Sequence, residues 1–459
     1  MRPRLGFAGA IAIAACGSPT VGGFSGGQVE QAFPVSPDLD LLFVIDDAGT
    51  QDVQSALLAN FASFVTALDA SPTGRPNLHI GVVSSTVKIG SQDVASYGTV
   101  CVDAAGDNGL LHNTASGVPA GCTAPNGRFV SDISQPDGSR ETNYTGTLQD
   151  TFSCIADLGS GGCGFVSSLE GMKRALDGSN PENAGFLRDD AILGIVFLAP
   201  DDDGSIGDPS FLDPAQGIGS FVDVPLAAYT CDQPISSTTP GTYTDCAPTV
   251  GGKVQDIAYY TSFLTSLKDP SLLRVAVIGG GTQDGGPPSS TITTGPLTVG
   301  GSNVVLQPSC SATINGNLAD ADPAIRLYNF MSGFGAHDRW QTVCTGDYSP
   351  ALTAIASSLT SALSACLDDR VDPTDADPNN PGAQLQCDAE LTNIDTTGPL
   401  PACAMQDAAT PASDTPTPCY YFVADSAACP TAPSNLRVVV DGALDGTASL
   451  SLTCATPES

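Results

Sequence analysis

Two acidic runs each follow a continuous apolar stretch. Asp46-Asp47-Ala48-Gly49-Thr50 comes after Leu41-Leu42-Phe43-Val44-Ile45, and Asp201-Asp202-Asp203 comes after Ile195-Val196-Phe197-Leu198-Ala199-Pro200. Ser84 and Ser85 lie near the end of a third apolar segment, Leu78 to Thr86. Carboxylates and hydroxyls gathered in one place make an all-oxygen donor set. Such a set suits a hard divalent cation such as magnesium, manganese or calcium. On this ground Asp46, Thr50 and Asp201 are the candidate metal ligands. The same rim, Asp201 to Asp203, would serve a metal-dependent hydrolase, which is the competing expectation.

Other groupings that look chemical carry less. Gly23-Phe24-Ser25-Gly26-Gly27 has the Gly-x-Ser-x-Gly spacing but lies in a Gly- and Ser-rich stretch, not between a strand and a helix. Gly159-Ser160-Gly161-Gly162-Cys163-Gly164 has dinucleotide-loop spacing but follows a helical segment, so no small-molecule cofactor is expected. Asp372, Asp375 and Asp377 lack the glycine and terminal glutamate of a calcium loop. The three histidines, His79, His112 and His337, do not accompany a positioned nucleophile, and no catalytic residue is assigned.

The elements that must hold the acidic runs follow from periodicity. Asp38 to Ile45, Leu78 to Thr86, Ala191 to Ala199 and Leu272 to Ile278 read as strands buried on both faces, as in a parallel sheet. Helical spacing predicts helices from Val53 to Leu68, Thr145 to Leu158, Phe165 to Leu176, Val254 to Leu267, Pro323 to Phe334 and Ser349 to Cys366. Alternating strands and helices predict an α/β fold with a doubly wound, mostly parallel sheet. In such sheets ligands sit beyond the carboxyl ends of the strands, where both acidic runs fall.

The strand ending Leu-Leu-Phe-Val-Ile, its Asp-rich turn and the helix after it resemble the opening of a von Willebrand factor A (VWA) domain. Gly159 to Gly164 falls where that family's second metal loop would be, and Val196 to Pro200 where its third would be. The resemblance covers roughly residues 38–366, with insertions at about 90–143, 200–250 and 279–321. It implies a six-stranded, mostly parallel sheet flanked by helices, and a metal-ion-dependent adhesion site completed by a partner's carboxylate. The departures are specific. The first loop reads Asp46-x-Ala48-x-Thr50 in place of Asp-x-Ser-x-Ser, the second has no threonine, and Ala199-Pro200 stands where Thr-Asp is usual. A degenerate site is expected, on a scaffold that does not depend on metal, since few protein oxygens hold a hard cation weakly.

Arg2, Arg4 and the apolar run Leu5 to Ala15 read as a signal peptide over residues 1–15, too short to span a membrane. Ile13-Ala14-Ala15-Cys16 resembles the lipobox of bacterial lipoproteins, which implies lipidation of Cys16 and an outer-membrane or cell-surface anchor. The extended, cysteine-rich form looks like the secreted lipoprotein members of bacteria such as myxobacteria. Residues 16–37 read as the lipidated cysteine and a flexible tether, 367–386 as an Asp/Pro linker, and 387–459 as a small disulfide-stapled β appendage. Asp441-Gly442 offers a hairpin turn there.

The chain has 15 cysteines, and setting Cys16 aside leaves an even number to pair. Proximity suggests Cys101 with Cys122, Cys154 with Cys163, Cys231 with Cys246, Cys310 with Cys344, and Cys429 with Cys454. A net charge of −33 over 459 residues argues against nucleic-acid binding. The expected function is a surface lipoprotein with a non-catalytic binding or adhesion module for a protein or matrix partner. A structural envelope protein without a discrete ligand is the third expectation.

Overall fold

The computed structural model describes residues 27–34, 38–70, 75–88, 108–114, 122–135, 139–189, 191–208, 223–296, 304–334, 338–361, 365–367, 370–376, 381–392, 397–412, 415–424, 429, 435–441 and 449–457. Cys16 and Cys101 lie outside the described residues, as does the signal peptide.

The larger unit is built on one sheet. Its strands are β1 (Asp38–Ile45), β2 (Asn77–Ser84), β3 (Val130–Ser134), β4 (Arg140–Thr142), β5 (Ile192–Ala199), β6 (Leu273–Gly279) and β7 (Asp338–Thr342). Their order is β7-β6-β5-β1-β2-β3-β4. The five strands from β7 to β2 run parallel, and the β3–β4 hairpin joins the β2 edge antiparallel. The expected six-stranded, mostly parallel sheet is therefore a seven-stranded mixed one.

The added hairpin comes from the segment read as an insertion. It is fixed by one buried carboxylate: Asp132 accepts from Arg75 (3.1 Å), Arg140 (2.5 Å) and the Tyr144 hydroxyl (2.8 Å). Its sequence alternates too weakly to announce a strand. The strand β7, Asp-Arg-Trp-Gln-Thr, was likewise hidden by its polar edge character.

Among the described residues the sheet is covered by α1 (Gln51–Asp69), α2 (Leu148–Ala156), α3 (Ser168–Leu176), α4 (Ile257–Leu267), α5 (Ile325–Ser332) and α6 (Ser349–Ser361). Leu41, Phe43 and Ile45 of β1 pack with Phe61, Phe152 and Leu352 from α1, α2 and α6. Leu42 and Val44 point the other way and pack in the core with Met172, Leu264 and Phe330 from α3, α4 and α5. Burial on both faces explains why the central strands read as unbroken apolar runs.

A second module holds the cysteine-rich end. Gln28–Pro34, Ser449–Ala455, Cys387–Thr392 and Thr397–Leu400 form a four-stranded antiparallel sheet in that order. Ala365–Cys366, Leu436–Asp441 and Cys419–Ala424 form a second sheet. Val29, Tyr420, Phe422, Val438 and Leu452 share their core.

Three expectations are corrected here. Part of the supposed tether, Gln28–Pro34, is a strand in register with Ser449–Ala455, because Val29 has an apolar core to enter. Leu367, Val371 and Leu385 of the supposed linker belong to that same core. Asp441 does not open a hairpin, since the strands Leu436–Asp441 and Ser449–Ala455 lie in different sheets.

Cys231 bonds Cys246 and Cys310 bonds Cys344. Elsewhere sequence proximity misleads. Cys122 bonds Cys154 and not Cys101, so Cys154 is not paired with Cys163. Cys163 is disulfide-bonded to a partner outside the described residues. Cys429 bonds Cys366 and Cys454 bonds Cys387, so Cys429 is not paired with Cys454, and Cys403 bonds Cys419. Strand pairing sets these partners: Cys387 and Cys454 face each other across neighbouring strands.

Candidate functional site

The turn after β1 begins where Asp46 donates its backbone N–H to Leu198 of β5 (2.9 Å), so the two strand ends stay side by side. Gly49, at φ 77°, supplies the left-handed backbone that returns the chain into α1. Asp46 is 1% exposed. Its Oδ1 accepts from the Ala48 N–H (3.0 Å) and the Ser85 hydroxyl (3.2 Å), whereas its Oδ2 has no partner. Asp47 points to the same hydroxyl group: its Oδ1 accepts from Ser85 (3.2 Å) and Thr86 (2.9 Å).

Thr50 is brought to Asp46, but its hydroxyl donates to the Asp46 backbone carbonyl. The amide of Gln54 donates to that carbonyl (3.0 Å) and to Gly159 (2.8 Å), and its oxygen accepts from Leu158 and Gly159 (3.0 and 3.1 Å). One buried glutamine thus locks the first and second loops together. The Gly162 N–H adds a 2.8 Å bond to the Asp47 carbonyl.

Gly162 has no room for a side chain. A Cβ there would lie 2.3 Å from Asp47 Oδ1 and 2.6 Å from the Asp47 carbonyl carbon. Gly162→Ala should cost about 1–3 kcal/mol and lower the melting temperature, because backbone has to move. A wild-type melting curve for that variant would show the two loops to be loosely held.

The three aspartates after β5 have separate fates. Asp202 caps α5, accepting from the Arg326 and Leu327 N–H groups (2.7 and 3.0 Å) and from the Tyr229 hydroxyl (2.8 Å). Asp203 serves α3, accepting from the Leu169 N–H (2.9 Å) and Ser205 hydroxyl (2.6 Å), and forms a buried ion pair with Arg326 (3.0 Å). Both use the preference of helix N-termini for negative charge. Asp201 makes no hydrogen bond among the described residues and lies beside Asp46.

Burial, then the Asp201 charge, pushes the Asp46 carboxyl well above its ordinary range. Burial alone lifts Asp201 to about 6. Asp322, from the Cys310–Ile314/Asn317–Ala321 hairpin connection, joins the group, its carboxyl raised by burial and then by Asp201 and Asp202. Asp322 and Tyr229 were not legible as site residues, since both arrive from long segments between elements.

The donor set does not fit a resident divalent cation. Ala48, Ala199 and Pro200 bring no side-chain oxygen, and the Thr50 hydroxyl is spent on the backbone. Among the described residues no three His, Cys, Asp or Glu side chains converge to hold a metal ion. His79, at the opposite end of β2, is structural: its Nδ1 meets the Phe186 carbonyl at 2.8 Å.

No known protein family matches the chain, and no curated protein matches it. Solved structures similar to it include the pilus adhesin SpaC of Lactobacillus rhamnosus GG in its open conformation, at 9% identity and TM-score 0.30, covering 93% of this chain and 40% of that one. A von Willebrand factor type A protein from Catenulispora acidiphila is similar at 8% identity and TM-score 0.27, covering 95% and 66%. The pilus adhesin RrgA of Streptococcus pneumoniae is similar at 10% identity and TM-score 0.19, covering 93% and 58%. The chain spans less than two thirds of each of those longer chains. The fold therefore rests on strand order and register.

Proposed function

We propose that the chain is an exported, surface-displayed binding module of VWA type, and that it engages a protein or matrix partner through the acidic end of its α/β sheet. The parallel strands with an antiparallel strand beyond β2 support this type. The observation that carries the reading is Asp46, a buried carboxylate with one oxygen unpartnered, beside Asp201 at the carboxyl ends of β1 and β5. A group so placed awaits a positive counterpart.

The module works without catalysis. Asp202 and Asp203, which a hydrolase would need as acid and base, are consumed in capping helices and pairing Arg326. Display follows from a lipid on Cys16, which lies outside the described residues. No helix among the described residues is long and apolar enough to cross a membrane.

The test is adhesion of beads coated with the mature chain to cell-surface and matrix preparations. Saturable adhesion that Asp46→Ala weakens about tenfold or more, with unchanged circular dichroism, is expected. Millimolar manganese or EDTA should change neither adhesion nor the melting temperature. Adhesion indifferent to Asp46→Ala would overturn the reading, and a melting temperature raised by manganese and restored by EDTA would return the metal to the site.

A further inference from the structure

A small cleft of about 50 Å³ lies beside the rim. Its lining combines two chemistries. Val166, Pro225, Ala228 and Leu306 are apolar, while Asp201 and Asp322 are carboxylates. Among the described residues neither Asp201 nor Asp322 has a hydrogen-bonding or ionic partner for its side chain. Asp202 also lines the cleft, but its oxygens are taken by the α5 N-terminus and Tyr229. The neighbouring cation, Arg326, turns its Nε and Nη2 to Asp203 and to the Gln255 carbonyl (2.7 Å), and its Nη1 is buried without a partner. Behind Asp201 stands Asp46, with its unpartnered buried oxygen. Asp201 and Asp322 thus line the cleft without a cation of their own, and the oxygens present do not make a metal site.

Resting on the binding-module reading above, we propose that this cleft receives a lysine side chain of the partner, with its methylene stem against Val166, Pro225, Ala228 and Leu306 and its ammonium between Asp201 and Asp322. A lysine suits both chemistries at once: its stem buries along apolar walls while its compact head donates three hydrogen bonds. The planar fork of an arginine is wider and asks for a coplanar carboxylate, whereas an ammonium serves two separate ones. The recognition is inverted in charge relative to a metal-bridged carboxylate: the partner supplies the cation itself. The net charge of −33 steers such a basic partner toward the molecule.

The probe is N-acetyl-lysine N-methylamide, titrated into the methyl-labelled mature chain and followed by NMR. Saturable shifts of the Val166 and Leu306 methyls are expected, with the norleucine and Nε-acetyl-lysine analogues producing none. The double variant Asp201→Asn/Asp322→Asn should weaken the binding about tenfold or more. The charge control Asp388→Asn/Asp407→Asn, in the other module, should leave it within about twofold.

No saturable shift, equal shifts from the norleucine analogue, or equal losses in both double variants would overturn the proposal. So would manganese occupying the cleft at a lower concentration than the lysine probe. If the probe fails while bead adhesion still depends on Asp46, only the lysine is wrong. If adhesion ignores Asp46, the binding-module reading falls as well.

Discussion

Arg326→Ala should destabilise the α/β domain by about 3–5 kcal/mol, the range for removing one member of a buried ion pair. Arg326 and the Asp203 carboxylate it faces are essentially inaccessible to water. The guanidinium reaches Asp203 Oδ2 through Nη2 at 3.0 Å and Nε at 3.3 Å. Removing it leaves Asp203 with its hydrogen bonds to Leu169 and Ser205 but no counter-charge. The loss spreads, because Asp203 and its neighbour Asp202 hold the first turns of α3 and α5 to the end of β5.

Urea unfolding at neutral pH measures the effect. Asp203→Asn in the Arg326→Met background should recover part of it, since neither side then keeps a buried charge. A loss below about 1 kcal/mol for Arg326→Ala would mean that water reaches the pair and screens it.

Acidification from pH 7.5 to 5 should stabilise the protein, on the order of 2–4 kcal/mol. Burial raises Asp40, Asp201 and Asp202 each from 3.8 to about 6, and Asp46 and Asp322 are raised too. For such groups the folded chain binds protons more tightly than the unfolded chain. Stability is then highest below the unfolded value and is lost as pH rises through the folded one. The window is therefore about pH 4 to 6 for the three groups near 6.

Asp177, Asp284 and Asp347 are held below their ordinary value, so their contribution disappears only in stronger acid. The melting temperature should thus peak in mild acid and fall on both sides. Asp201→Asn should raise it at pH 7.5 and flatten the slope. A melting temperature that falls steadily from pH 7.5 to 5 would sink the account of these carboxylates.

Legibility in the sequence followed burial. The strands β1, β2, β5 and β6 were readable because each is covered on both faces and so spells an apolar run. The edge strand β7 and the β3–β4 hairpin were not, because an edge carries polar residues and takes its place from neighbours. The placement of Asp46 and Asp201 at the ends of buried strands was readable from the apolar runs before them. What they do was not. The turning of Thr50 onto the backbone, the helix-capping by Asp202 and Asp203 and the arrival of Asp322 are tertiary events with no local pattern. The disulfides show the same limit: Cys387 meets Cys454 because two strands pair, not because they are close in sequence.

The pairing of Gln28–Pro34 with Ser449–Ala455 has a consequence for biogenesis. Gln28 is in register with Ala455, and the whole α/β domain lies between them in the chain. During synthesis the early strand must wait, unpaired, until the whole α/β domain and the cysteine-rich segment have been made. A product truncated before Ser449 would display that strand with open hydrogen-bonding groups, an invitation to aggregate. Closure of the second module thus reports that Ser449–Ala455 has been made and folded.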